Sequence, residues 1–340
     1  MNLVTVLERL RAEGLTTATA AADDPAHSPW YVRAMLGFCG WIAGILIVAF
    51  FGVILASLFR EGVVLIAIGI ALCVVASAVY RWKTGDLVEQ FALAMSLAGQ
   101  FMVAFGLGEA LTWKDRSVAG LLVAFQVALV VLMPNFLHRL LSTLFAATAL
   151  YYALDKTGTE GIAAGVLSLG FAALWVNETR WRASRHASMF CAIAWGVGIA
   201  VLAWDVPPVV REISLSLTTW RVLETAGYGV GLIYFVAASS AAAPLRLRAF
   251  ALVAAGALVI AASPAPGIVA GILVLIAGFR AGVVTLVGLA IAGVIGYLSA
   301  YYYQLDQSLL VKAGALAGTG AVLLLARFGL MRAWPAERVS

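Results

Sequence analysis

Charged side chains are what this sequence has least of. Asp, Glu, Lys and Arg make up 11% of its 340 residues, where a soluble domain carries about 25%. With 63% of residues hydrophobic, the chain cannot build a water-facing surface around a globular core, and a soluble fold is excluded. Histidine is scarce as well: His27, His138 and His186 stand far apart, and no two have metal-pair spacing. The three cysteines, Cys39, Cys73 and Cys191, each lie inside an apolar run and read as small packing residues. GxSxG, HExxH, the Walker loop and a strand-to-helix GxGxxG are all missing. Soluble-enzyme chemistry therefore has no residues to start from, and neither a metal nor a cofactor is expected. No early apolar h-region precedes residue 33, where Glu8, Arg9, Arg11, Glu13, Asp23 and Asp24 stand instead, so no secretory signal is expected. Strict polar–apolar alternation is also missing, which argues against a transmembrane barrel.

What the chain does have is long apolar runs, apolar on every face. They lie at Ala34–Phe59, Gly62–Tyr80, Leu87–Leu111, Val118–Met133, Leu137–Leu154 and Gly161–Asn177 in the first half. Ala187–Trp204, Ala226–Ala243, Ala249–Ala262, Gly267–Phe279, Ala281–Tyr303 and Leu309–Ala326 follow. The expected fold is all-α, a polytopic transmembrane bundle of about twelve spans. Residues 1–32 read as a cytoplasmic segment whose Leu3, Val6, Leu7 and Leu10 share one helical face. Residues 33–327 form the bundle and 328–340 a cytoplasmic tail.

The net charge of +5 fits basic cytoplasmic loops better than nucleic-acid binding, which is not expected. With both termini cytoplasmic, fifteen Lys and Arg fall inside and seven outside. The short pair Ala249–Ala262 and Gly267–Phe279 reads either as two thin spans or as a re-entrant hairpin; both return the chain to the same side. Gly161 and Gly165, like Gly40 and Gly44 or Gly314 and Gly318, have the spacing of four that lets helices approach closely.

Polar groups at membrane depth are costly and need partners or tasks. Glu89, Ser96 and Gln100, at offsets of seven and eleven, share a helical stripe. Gln100 and Gln126 fall near mid-run on consecutive runs, so their amides are expected to meet, either bonding helix to helix or lining a polar path. In WVNETRWRASRH, Trp175, Arg180, Trp181, Arg182 and Arg185 read as a cytoplasmic anchor for anionic membrane lipids. YYYQLDQSLLVKAG places Tyr301, Tyr302 and Tyr303 in an outer aromatic belt. There Asp306 or Ser308 can cap the final helix, and Lys312 can snorkel to the interface.

PWYVRAMLGFCGWIAGILIVAF and YYYQLDQSLLVKAGALAGTGAVLLLAR resemble the two ends of a bacterial family of inner-membrane proteins, domain-of-unknown-function family four-four-zero-one. The resemblance spans Pro29 to Arg327 and supplies no activity and no catalytic residues. It implies a multi-pass bacterial inner-membrane protein, often encoded beside a small membrane-anchored protein with a GDYXXLXY signature. The expected function is thus a non-enzymatic component that binds such a partner at its extracytoplasmic face, through Tyr301, Tyr302, Tyr303, Asp306 and Lys312. The alternative is a secondary transporter or flippase-like carrier, with Glu89, Ser96, Gln100 and Gln126 as its intramembrane polar groups. A membrane enzyme acting on lipid-linked substrates has less support, for want of an acid/base constellation.

Overall fold

The computed structural model describes residues 61–82, 86–111, 116–155, 160–203, 217–262 and 265–304, with a few isolated positions on either side. The amphipathic N-terminal segment, the runs Ala34–Phe59 and Leu309–Ala326 and the C-terminal tail lie outside the described residues, apart from those positions.

Among the described residues the chain forms eleven helices and no strand. They are α1 (Gly62–Arg81), α2 (Asp86–Leu111), α3 (Arg116–Leu132), α4 (Phe136–Asp155), α5 (Glu160–Val176) and α6 (Glu178–Arg182). Then come α7 (Ala187–Ala203), α8 (Leu217–Ser239), α9 (Leu245–Ala261), α10 (Pro266–Ala281) and α11 (Val284–Gln304). Runs of Ala, Leu, Val, Ile and Gly with few side-chain hydrogen bonders leave the helix as the way to satisfy every backbone group. Among the described residues, three stretches are long and apolar enough to cross a membrane: Gly62–Arg81, Val88–Leu111 and Val222–Ser239. Five shorter apolar helices, including Pro266–Ala281 and Val284–Ser299, accompany them.

The stops are local. Pro134 follows α3, and Asn135 Oδ1 accepts from the backbone N–H of His138 at 3.0 Å to open α4. Pro266 stands in the first turn of α10, where its missing N–H costs nothing. At the far end of α10, Gly282 takes φ 67. Gly282 N–H donates to Phe279 O and Val283 N–H to Gly278 O, the two bonds of a Schellman cap, with glycine at the left-handed position. That cap lets α11 start almost at once.

The chain divides into two compact units, Met1–Trp113 and Lys114–Ser340. In the first, α1 packs along α2. In the second, α5, α8 and α10 form the centre, with α4, α7, α9 and α11 around them and α3 against α4 and α7. Helix α10 supplies much of the core: Val269, Ala270, Leu273 and Val274 are fully buried. The Tyr297 hydroxyl donates to the Leu202 carbonyl, tying α11 to α7.

The boundaries differ from the sequence reading most at α8, and α9 starts four residues early, at Leu245. Helix α8 begins at Leu217, nine residues before the expected Ala226, because Glu224 and Thr225 are buried on its packed face instead of ending it. The Ala249–Phe279 stretch falls within two helices that overrun it at both ends, α9 of 17 residues and α10 of 16. At 1.5 Å per residue each is about 25 Å long. Helix α9 packs on α8, whereas α10 packs on α8, α11, α5 and α7.

Candidate functional site

In the first unit the polar stripe of α2 divides. Glu89 is exposed, while Ser96 and Gln100 are buried. The Ser96 hydroxyl donates to Cys73 Sγ at 3.8 Å, and the Cys73 thiol to the Ser96 carbonyl at 3.5 Å. The contact sits beside a backbone crossing: a Cβ on Gly99 would stand 2.6 Å from Gly69 O, and one on Gly62 2.6 Å from Gly106 O. Ser96 thus serves the α1–α2 seam. Gln126 lies in the other unit, on α3, 4% exposed, and its Oε1 has no hydrogen-bond partner among the described residues.

The second unit holds the denser set of buried polar groups. Glu224, Thr225 and Tyr228 of α8 are 1%, 2% and 1% exposed. Glu224 is seven residues from the start of α8, roughly 10 Å along its axis, and just inside the membrane-length stretch Val222–Ser239. Offsets of three, four and seven put Gly227, Tyr228 and Gly231 on its face. That face meets α5, where a Cβ on Gly227 would collide with Gly161 O and with Gly165 N, and one on Gly231 with Ser168. The Ser168 hydroxyl donates across the seam to Gly227 O at 3.0 Å, and also lies 3.1 Å from Gly165 O of its own helix. Gly161 and Gly165 are therefore the packing pair their spacing implies, and α5 and α8 run parallel. Tyr151, Ala163, Ala164, Phe171 and Tyr228 belong to one continuous core.

The sequence reading missed Glu224, because the apolar run was started beyond it. The signal was available in ETAGYGVG, where a carboxylate, two glycines and a tyrosine share one helical face. His138 was read only as an isolated histidine, and Ser142, one turn on in the same run, was not singled out. Both are buried at the start of α4, with the hydroxyl 3.3 Å from His138 Nδ1.

At the opposite end of α8 lies the basic cluster. Trp175 and Trp181, expected at the lipid interface, are 2% and 7% exposed. Trp175 packs on Phe171 at 6.0 Å and on Trp181 at 6.2 Å, and Trp181 Nε1 donates to Leu174 O at 2.8 Å. Both rings are turned inward because the short α6 folds the loop back over the end of α5. Arg180, Arg182 and Arg185 stay exposed. Arg182 pairs with Glu178 at 2.6 Å and lies 5.6 Å from the Trp181 ring centroid. The Arg280 guanidinium donates to Trp175 O at 3.2 Å and lies 5.7 Å over the Phe235 ring. Beside Phe235 a largely apolar groove of about 430 Å³ opens between α8, α9 and α10.

Tyr301, Tyr302 and Tyr303 lie in the last turn of α11, their side chains outside the described residues together with Asp306 and Lys312. Among the described residues no group of three or more His, Cys, Asp or Glu could hold a metal ion.

No curated protein and no solved structure matches this chain. The family described as Domain of unknown function (DUF4401) matches it over residues 29–333, and the chain belongs to that family.

Proposed function

We propose that this protein is a multi-pass bacterial inner-membrane carrier of about twelve spans, both termini cytoplasmic, with Glu224 as the group that takes up and releases a coupling cation. The observation that carries this reading is a carboxylate 1% exposed at the start of a membrane-length stretch. A charged side chain at bilayer depth costs about 3 kcal/mol or more, so acids there are rare and serve ion or proton paths. Glu224 also shares its helix face with the α5 crossing, where a change of charge would be felt by a backbone-to-backbone contact. The test is a pH jump on proteoliposomes adsorbed to a solid-supported membrane. Wild-type protein is expected to give a transient charge movement that Glu224→Gln abolishes while its detergent melting temperature holds. Equal transients in both proteins overturn the reading. The topology has its own test: reporters fused after Ser340 are expected to be active only in the cytoplasm.

The partner-binding reading rests on a different observation, that α11 continues to Gln304 and so carries three consecutive tyrosines at its end. Rigid aromatic rings beside Asp306 and Lys312 suit a charge-complementary, membrane-anchored partner. Affinity purification in mild detergent is expected to recover such a partner with the wild type and less of it with Lys312→Ala.

A further inference from the structure

We propose that the groove between α8, α9 and α10 is a binding site for one acyl chain of an anionic phospholipid, whose phosphate is held by Arg248 and Arg280. The inference depends on the chain residing in a membrane and is independent of the carrier reading. Leu232, Phe235 and Val236 of α8, Ala255 and Leu258 of α9 and Ile276 of α10 line the groove. Its volume of about 430 Å³ lies in the range of about 300–1,000 Å³ usual for ligand sites.

The arginines stand at one end of it. Arg280 follows Ile276 by one helical turn, and its guanidinium covers the Phe235 ring at 5.7 Å. On α9, Arg248 precedes Ala251, Ala255 and Leu258 by three, seven and ten residues, which places all four on one stripe. Ser239 and Ser240 complete that end. Helix α9 leaves this room because Ala251, Ala254 and Ala255 are small where they line the groove, with Leu258 at its far end.

The physical argument selects the lipid. In a bilayer an acyl chain gains nothing by leaving other chains for an apolar groove, since lipid tails are as apolar as leucine. Preference must therefore come from the headgroup, and basic pockets between membrane helices supply it for anionic lipids. Two arginines, at roughly five-fold each, give a preference of about 30-fold for an anionic over a zwitterionic headgroup.

Native mass spectrometry of the full chain, purified in mild detergent, tests this with dioleoyl phosphatidylglycerol against dioleoyl phosphatidylcholine. Phosphatidylglycerol is expected to stay bound at about 30-fold lower concentration. Arg248→Ala should reduce that preference about five-fold. Ala254→Trp, which fills the groove from its exposed side, should abolish retention with the melting temperature unchanged. Arg280→Ala also loses the Trp175 carbonyl, so Arg248→Ala and Ala254→Trp are the decisive variants. Equal retention of the two lipids overturns the proposal. So does retention that Ala254→Trp leaves intact, which is annular lipid, or no retention at all, which is a groove closed by the chain itself.

Discussion

Two helix pairs in this protein solve the same problem with different spacings. In the first unit Gly62 and Gly69 of α1 face Gly106 and Gly99 of α2, seven residues apart on both sides and antiparallel. In the second unit Gly161 and Gly165 of α5 close on Gly227 of α8 and Ser168 closes on Gly231, with the glycines four apart on each helix and the helices parallel. A period of seven keeps one seam in register over several turns, as in left-handed packing. A period of four is that of the close right-handed crossing. The first seam joins chain neighbours; the second joins helices separated by the whole of α6 and α7. Only the second has a buried carboxylate, Glu224, on the same face. Close glycine packing therefore serves two ends here, a hairpin of chain neighbours and a crossing that encloses a carboxylate.

The largest expected effect comes from breaking one seam at a time. Gly227→Val would force a side chain against the Gly161 and Gly165 backbone, an overpacking that costs about 3 kcal/mol. Hydrogen exchange in detergent should show α5 and α8 losing protection while α1 and α2 keep theirs. Gly99→Val should do the reverse, and joint loss in either variant would show that the two units do not fold separately.

A smaller effect sharpens the comparison. Ser168→Ala removes an interhelical hydrogen bond of 3.0 Å and should lower stability by about 1 kcal/mol. Ser96→Ala removes a 3.8 Å contact to sulfur and should cost less than half of that in the same thermal melt. Equal losses would mean that the hydroxyls matter little and the glycines carry both seams.

The smallest effect has the opposite sign. Gly170 is on α5 with Gly161, yet a Cβ there meets nothing within 4 Å. Gly170→Ala should raise stability by about 0.5 kcal/mol by restricting the unfolded chain. A loss instead would extend the crossing along α5.

Much of this was legible in the sequence, for a simple reason. Long apolar runs between polar or charged residues can be little but helices, so α1, α2 and α7 begin and end within a residue of where the runs do. Reading failed where a polar residue is buried by a neighbour that sequence order does not reveal. Glu224 looks like a helix end until α5 is laid against it. Trp175 looks like a lipid anchor until α6 folds Trp181 over it. The Gly62–Gly69 and Gly99–Gly106 match is a relation between two helices, and a spacing rule applied to one helix cannot show it. Of the candidate site, Ser96, Gln100 and the exposed arginines could be read directly. The groove depends on how far α9 stands from α10, which composition does not encode.

Ser168 has a consequence for how the protein is made. Its acceptor Gly227 is 59 residues further along the chain. At about 5–20 residues per second, α5 leaves the ribosome some 3–12 seconds before α8 exists. Through that interval its glycine face has no partner, but the hydroxyl has one, since Gly165 O of its own helix lies 3.1 Å away. The second bond to Gly227 is added when α8 arrives, with no unsatisfied donor left waiting. A serine at this position lets synthesis run from the N-terminus while the central seam closes late, with only a small, already satisfied surface left open in the interval.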